Sequence, residues 1–240
     1  MSDEALRQAF GYADRSHFDW QTTAPGIAER ERALVESAFL PLGSKVLDLG
    51  CGEGATLFHL GEPEGALGIE LFEEKVAFAR SVLPKCRFMV GSVYELPIEA
   101  DSVDQVIVRD VVHHLMEPQR FVDECARVLM PGGRIDVLEP CRYNPLICLH
   151  ALTNKAERDE LRSTPTFLQN LLATRFNVES VNRHQPLPIH RIVYHPKLGK
   201  PALASTRASQ WVDSAERLAG KLMPRWAWAY IHIRAFAPSR

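Results

Sequence analysis

The chain contains no apolar run approaching the ~20 residues that a membrane-spanning helix needs. Its five cysteines, at 51, 86, 125, 141 and 148, form neither a C-x-x-C pair nor a zinc-ligand spacing. The first lack reads against a transmembrane helix, the second for a reducing compartment and no structural metal. The opening Met1-Ser2-Asp3-Glu4 is acidic, without the basic-then-apolar layout of a signal peptide, so the expected location is cytoplasmic. No internal repeat or low-complexity tract is visible, and 240 residues, 46% of them hydrophobic, suffice for one domain with a full core. A large net charge is also missing, but the total of −2 hides an asymmetry. Through Asn182 there are 18 Lys and Arg against 28 Asp and Glu, a balance of −10; from Arg183 onward the balance is 10 against 2, or +8. A basic final quarter suits an anionic substrate, a membrane surface or a partner, or simply caps an acidic core.

The informative stretch is Lys-Val-Leu-Asp-Leu-Gly-Cys-Gly-Glu-Gly-Ala, Lys45 to Ala55, followed by an acidic residue closing the next strand at Glu70. An apolar strand runs into a glycine-rich turn and then a helix-compatible segment. Glycines at 50 and 52 let backbone lie against a ligand, and a carboxylate some twenty residues on suits the two hydroxyls of a ribose. An adenosine-containing cofactor is expected. The turn can be read as the dinucleotide pattern G-x-G-x-x-A, which keeps a dehydrogenase in view. Against it stand the tight G-x-G-x-G spacing and Asp48, which would repel a pyrophosphate but could bond the ammonium or ribose of an amino-acid-bearing nucleoside.

With Arg127-Val128-Leu129-Met130-Pro131-Gly132-Gly133 downstream, the chain resembles the class I S-adenosylmethionine-dependent methyltransferases, in particular the small-molecule branch called type 11. The resemblance spans about Ala33 to Leu138, through Val46–Gly54, Gly68-Ile69-Glu70, Gly91–Pro97, Asp104–Leu115 and Arg127–Gly133. It implies S-adenosyl-L-methionine as cofactor. Gly50, Gly52 and Gly54 would let the loop approach it, Asp48 would orient its methionine end, and Glu70 would take both ribose hydroxyls. Leu71 would lie against the adenine, and the Val93 amide would meet a ring nitrogen. Ser92 stands where many relatives carry an acidic residue. Arg109 or Asp110 would contact the methionine portion.

The expected fold is α/β: a doubly wound, mainly parallel seven-stranded sheet of the Rossmann-like methyltransferase type. Strands are expected at Val46–Leu49, Ala66–Glu70, Arg87–Val90, Asp104–Val108, Arg134–Leu138 and Phe176–Val181. The alternating Tyr230-Ile231-His232-Ile233-Arg234-Ala235-Phe236 would, by resemblance, be the antiparallel seventh strand. Helices are expected at Ala28–Phe39, Thr56–Leu60, Glu73–Val82, Gln119–Leu129, Lys155–Arg162, Thr166–Thr174 and Ala208–Leu222. Pro131-Gly132-Gly133 reads as a turn and Arg183–Pro201 as an irregular stretch. One domain covers 1–240, with a cofactor-binding core at 45–140 and a substrate-side cap at 141–240 enlarged between strands six and seven. In relatives a segment like 1–44 forms a lid; here Tyr12, Phe18 and Trp20 either serve one or pack the leading helices onto the sheet.

The turn Arg109-Asp110-Val111-Val112-His113-His114-Leu115 faces the transferable methyl in the parent fold, so His113 or His114 is a candidate general base or a structural histidine. Tyr12, Trp20, Tyr143, Arg142, His184 and His190 are candidates for the acceptor side, alongside His195, Arg183 and Arg191. The leading expectation is methyl transfer to oxygen, nitrogen or carbon of a small metabolite, anionic or amphiphilic. An RNA-directed enzyme and a cofactor-binding but non-catalytic partner subunit are alternatives. The base-amino methyltransferase turn Asn/Asp-Pro-Pro-Tyr is absent, Arg109–Val112 standing in its place. A homodimer is open, as is a peripheral membrane contact through Ala208–Leu222, Trp226 and Trp228.

Overall fold

The computed structural model describes residues 11–196 and 199–239. Two helices lead, α1 (Arg15–Thr22) and α2 (Ala28–Phe39). Next come β1 (Val46–Leu49), α3 (Ala55–His59), β2 (Leu67–Glu70), α4 (Glu73–Val82), β3 (Arg87–Val90), β4 (Val103–Arg109), α5 (Pro118–Val128) and β5 (Leu129–Pro140). The remainder is α6 (Pro145–Thr153), α7 (Pro165–Leu172), β6 (Asn177–His184), α8 (Ile189–Val193), α9 (Ala208–Leu222) and β7 (Tyr230–Phe236). The strands form one seven-stranded sheet in the order β3-β2-β1-β4-β5-β7-β6. β7 runs antiparallel to both its neighbours, while β1 to β5 are paired in parallel.

Strand periodicity divides the core between the two faces of the sheet, because successive side chains point to opposite sides. Leu47, Leu49, Val106, Val108 and Val137 pack with Phe121, Val122 and Cys125 of α5 and Leu168 and Leu172 of α7. Val46, Ile107 and Leu138 pack on the other face with Leu34, Val35, Ala38 and Phe39 of α2 and Val76 and Ala79 of α4. Double-sided burial explains why the inner strands are continuous apolar runs. Helix starts follow local chemistry: Asn144 caps α6 by accepting from the Leu146 amide (3.1 Å), and Thr164 caps α7 by accepting from the Phe167 amide (3.1 Å). The order in which strands are added reverses between β1 and β4, which run parallel, so the crevice opens above their carboxyl ends.

Three expectations need correction. Pro131-Gly132-Gly133 is not a turn before the strand but lies inside β5; the irregular β4–β5 register between Val103 and Gln105 takes up the extra residues, and Gly132 supplies a φ of +73°. Lys155–Arg162 is a 3₁₀ segment, not an α-helix. Its three-residue turn sets Glu157 and Glu160 on one side, toward the crevice. Arg183 and His184 belong to β6, and Ile189–Val193 makes a short helix within the stretch read as irregular.

Candidate cofactor and acceptor site

A cavity of about 1110 Å³ lies over the carboxyl ends of β1, β2 and β4. Its floor begins at the first βα turn. The Gly50 amide donates to Ile69 O (2.8 Å), pinning the turn to β2. Gly52 has a φ of +54°, and a Cβ built there would meet no protein atom within 4 Å, so its backbone is bare to the cavity. Gly54 plays a different part from the one expected. Its φ is +91°, and a Cβ there would stand 2.5 Å from Leu83 Cδ1. The residue lets α3 and α4 approach each other; it does not line the cavity.

Asp48 is 1% exposed on β1, and its Oδ2 has no hydrogen-bond partner. Burial pushes its carboxyl up to about 8, against the pull of Arg109 and with a further push from Glu70. An orphaned carboxylate beside a bare glycine turn fits a ligand bringing a cation or a hydroxyl to this point. Glu70 closes β2 at the cavity wall. Its Oε2 accepts from the Gly52 amide (3.0 Å) and its Oε1 from the Phe72 amide (3.1 Å). A carboxylate has about four lone-pair sites, so both oxygens can still accept from ribose hydroxyls while holding the turn. Leu71, Ser92 and Val93 line the same half of the cavity. The Ser92 hydroxyl accepts from the Tyr94 amide (3.2 Å). Together these groups suit an adenosine bearing an amino-acid tail.

The second half starts at the end of β4. Arg109 is buried and pairs with Glu31 of α2; Glu31 also accepts from Arg191 Nη2 of α8 (2.6 Å). Burial works against charge on Glu31, but the two guanidiniums hold its carboxyl down at about 2. Asp110, at φ +56°, puts its carboxyl into the cavity, where desolvation raises it to about 6. The following turn is clamped by Glu139 at the end of β5. Its Oε1 accepts from the amides of Val111 (2.7 Å) and Val112 (2.8 Å), and its Oε2 meets His113 Nδ1 at 2.6 Å. This clamp separates the two histidines electrically. Burial disfavours charge on His113, yet Glu139 outweighs it and lifts the imidazole to about 10. Burial and the neighbouring His113 charge push His114 down to about 4. Glu139 thus favours the charged form on His113, while burial and the neighbouring charge favour the neutral imidazole on His114.

His113, His114 and Glu157 present ligating atoms within 4.8 Å of one another at the cavity wall. His150 Nδ1 and Glu160 Oε2 (3.2 Å) extend this polar wall. Leu146, Ile147, Leu149, Met116 and Ile192 supply the apolar part.

Of the acceptor-side candidates, Trp20 lines the cavity and donates from Nε1 to Tyr194 O (3.2 Å). His195 lines it as well. α1, which carries Trp20, sits over the first turn: the Asp14 amide donates to Glu53 Oε1 (3.1 Å). Arg191 lines it too, and the remaining candidates lie elsewhere. Tyr12 is exposed and outside the cavity wall. Arg142 is exposed, and Tyr143 is half exposed with its ring edge-on to Trp226. His184 and His190 border a separate hollow of about 280 Å³ beside α2. His190 is buried there with Nδ1 2.7 Å from Glu216 Oε1, while His184 Nδ1 is 3.2 Å from Ser37 Oγ. His184 is out of reach because β6 is the edge strand of the sheet.

Glu31, Glu139 and Glu157 escaped the sequence reading. Glu31 sits at helical spacing with Leu34, Val35 and Ala38, a charge on an apolar stripe. Glu139 closes a strand as Glu70 does, ahead of Pro140. Glu157 gave no comparable signal, being one charge among many in its segment.

Residues 47–136 match the type 11 family model, a methyltransferase domain. Among curated proteins, a Mycolicibacterium smegmatis protein named as a probable S-adenosylmethionine-dependent methyltransferase is 34% identical over 163 residues, 61% of this chain and 63% of its own length. One so named from Mycobacterium tuberculosis is 36% identical over 127 residues, 49% of this chain and 45% of its own. The matches thus span less than two thirds of these relatives. Among solved structures, phosphoethanolamine N-methyltransferase 2 of Haemonchus contortus in complex with S-adenosyl-L-methionine superposes with a TM-score of 0.68 at 18% identity, covering 100% of this chain and 60% of that one. That likeness speaks for the fold. Residues 47–136 thus match a type 11 methyltransferase domain, and the strand order and the turn motif agree with that likeness.

Proposed function

We propose that the protein transfers a methyl group from S-adenosylmethionine to a small amphiphilic acceptor seated between the Val111–Leu115 turn and the cap. The observation that carries this reading is the two-part cavity. At about 1110 Å³ it exceeds the ~300–1,000 Å³ usual for one small ligand. One half offers Glu70 and the bare turn, with Asp48 buried behind that turn; the other mixes His114, His150 and Glu160 with an apolar wall. The acceptor's polar end would face His114 and its apolar end Leu146, Leu149 and Ile192.

When bound, S-adenosylmethionine supplies a methyl on a sulfonium, already activated for in-line displacement. The residues here would then align and dehydrate. Asp48 and Glu70 would fix the two ends of the nucleoside, and the clamped turn would set the acceptor atom within ~3–3.5 Å of the methyl. α1 and α8 would cover the crevice as a lid. If the acceptor atom carries a proton, neutral His114 is placed to take it, with the Glu157 carboxylate 3.7 Å from its Nε2 favouring the resulting charge against the opposing push of His113.

The test is transfer of labelled methyl from S-adenosylmethionine into fractionated cell extract. The reading expects label in an organic-extractable small-molecule fraction, lost in Glu70→Ala. Label confined to RNA or protein, or no transfer despite tight S-adenosylhomocysteine binding, would refute it.

A further inference from the structure

α9 buries its inner side against the cap and leaves the outer side uncovered. The inner side is Val212, Asp213 and Glu216. Asp213 pairs with Arg30, and Glu216 pairs with Arg30 and His190. These are the only carboxylates between Arg207 and Trp226, so the outer side carries none. On it, Trp211 is 79% exposed, Leu218 54% and Leu222 73%. Spacings of seven and four residues put the three on one line of an α-helix. Trp226, 61% exposed, follows just past the helix end. Arg207, Arg217, Lys221 and Arg225 are all exposed around this stripe.

An apolar line with tryptophans, flanked by four cations and cleared of anions, has the make-up of a helix that lies in a lipid interface. A protein-facing surface would more often carry complementary charges of both signs. We propose that α9 and the Arg225–Trp226 corner dock the protein onto an anionic membrane surface, with Trp211, Leu218, Leu222 and Trp226 entering the headgroup layer. The basic balance of the last quarter acts in the same sense, since each cation near an anionic leaflet strengthens partition roughly five-fold. The inference stands apart from methyl transfer: it uses no cavity residue, and its test needs no acceptor.

The experiment is flotation of the full chain with vesicles of phosphatidylcholine alone and with 30% phosphatidylserine, at low and at 0.5 M salt. Expected are binding to the anionic vesicles alone, a blue shift of tryptophan emission and loss at high salt. Trp211→Ala with Leu222→Ser, and separately Arg217→Glu with Lys221→Glu, should each lower partition at least ten-fold while far-UV circular dichroism and S-adenosylhomocysteine affinity stay unchanged. No binding to anionic vesicles would overturn the proposal. So would a stable dimer broken by the Trp211 and Leu222 changes, which would make this face a contact between copies. Tight, salt-sensitive binding of tRNA that displaces the protein from vesicles would instead assign the face to nucleic acid.

Discussion

If Asp48 meets the cationic end of the cofactor, binding must be coupled to release of its proton. Burial holds this carboxyl at about 8. At pH 7 it is then roughly nine-tenths protonated, and ionising it costs about 1.4 kcal/mol, one pH unit's worth. A cation docked on the orphaned Oδ2 would pull the carboxyl down, so the complex holds it ionised. The sign follows: affinity rises with pH while the free protein is protonated, by roughly 50-fold between pH 6 and pH 8, and levels off above. About 0.9 proton should leave per ligand bound at pH 7. Titration calorimetry with S-adenosylhomocysteine in buffers of different ionisation enthalpy counts those protons. The ligand's own amine titrates near 7.7–8.0, so the decisive quantity is the difference between the wild type and Asp48→Asn. That variant should bind nearly as well at pH 6, weaken relative to wild type as pH rises, and release about 0.9 proton fewer at pH 7. Equal proton release and parallel pH profiles in the two proteins would refute the role assigned to Asp48.

Glu70→Ala removes both the expected ribose acceptor and the acceptor of the Gly52 and Phe72 amides; S-adenosylhomocysteine affinity should fall by about 1–3 kcal/mol, and unchanged affinity would contradict the assignment. Glu31→Gln leaves buried Arg109 and partly buried Arg191 without their shared anion, so unfolding in urea should show a loss of about 3–5 kcal/mol. In the wild type the same carboxyl, held at about 2 against 4.5 unfolded, gives stability that is whole above pH 4.5 and drains away as pH falls toward 2; Glu31→Gln should flatten that part of an acid melt. Gly54→Ala forces a methyl into Leu83 at a φ of +91° and should lower thermal stability, by roughly 1–3 kcal/mol, more than it lowers cofactor affinity.

The sheet and the glycine-turn half of the cavity were legible because each depends on neighbours in sequence. Strands buried on both faces leave continuous apolar runs, and a turn that must bare its backbone leaves glycines, so Val46–Leu49, Glu73–Val82 and Ala208–Leu222 stand where the residues placed them. The half around the Val111–Leu115 turn was not legible in the same way. Glu139 acts on His113 across 26 positions and Glu31 on Arg109 across 78, and no local pattern announces a partner that far away. Likewise His184 and His190 have residue types suited to catalysis, but which side of the sheet they reach depends on where β6 lies. Gly54 belongs to the motif and still turns out to serve packing, since a motif records that a side chain is forbidden and not what forbids it.

β7 lies between β5 and β6 and is the last strand in chain order. During synthesis the parallel half can form while β5 still shows a bare row of amides and carbonyls, and the whole cap must leave the ribosome before the strand that covers them arrives. The nascent chain therefore carries an open, apolar-flanked edge for about ninety residues of elongation, the kind of edge that recruits other chains. Truncation anywhere short of Tyr230 would make that exposure permanent, so shortened versions of this protein should aggregate even though Asp48, Glu70 and the glycine turn are already encoded upstream.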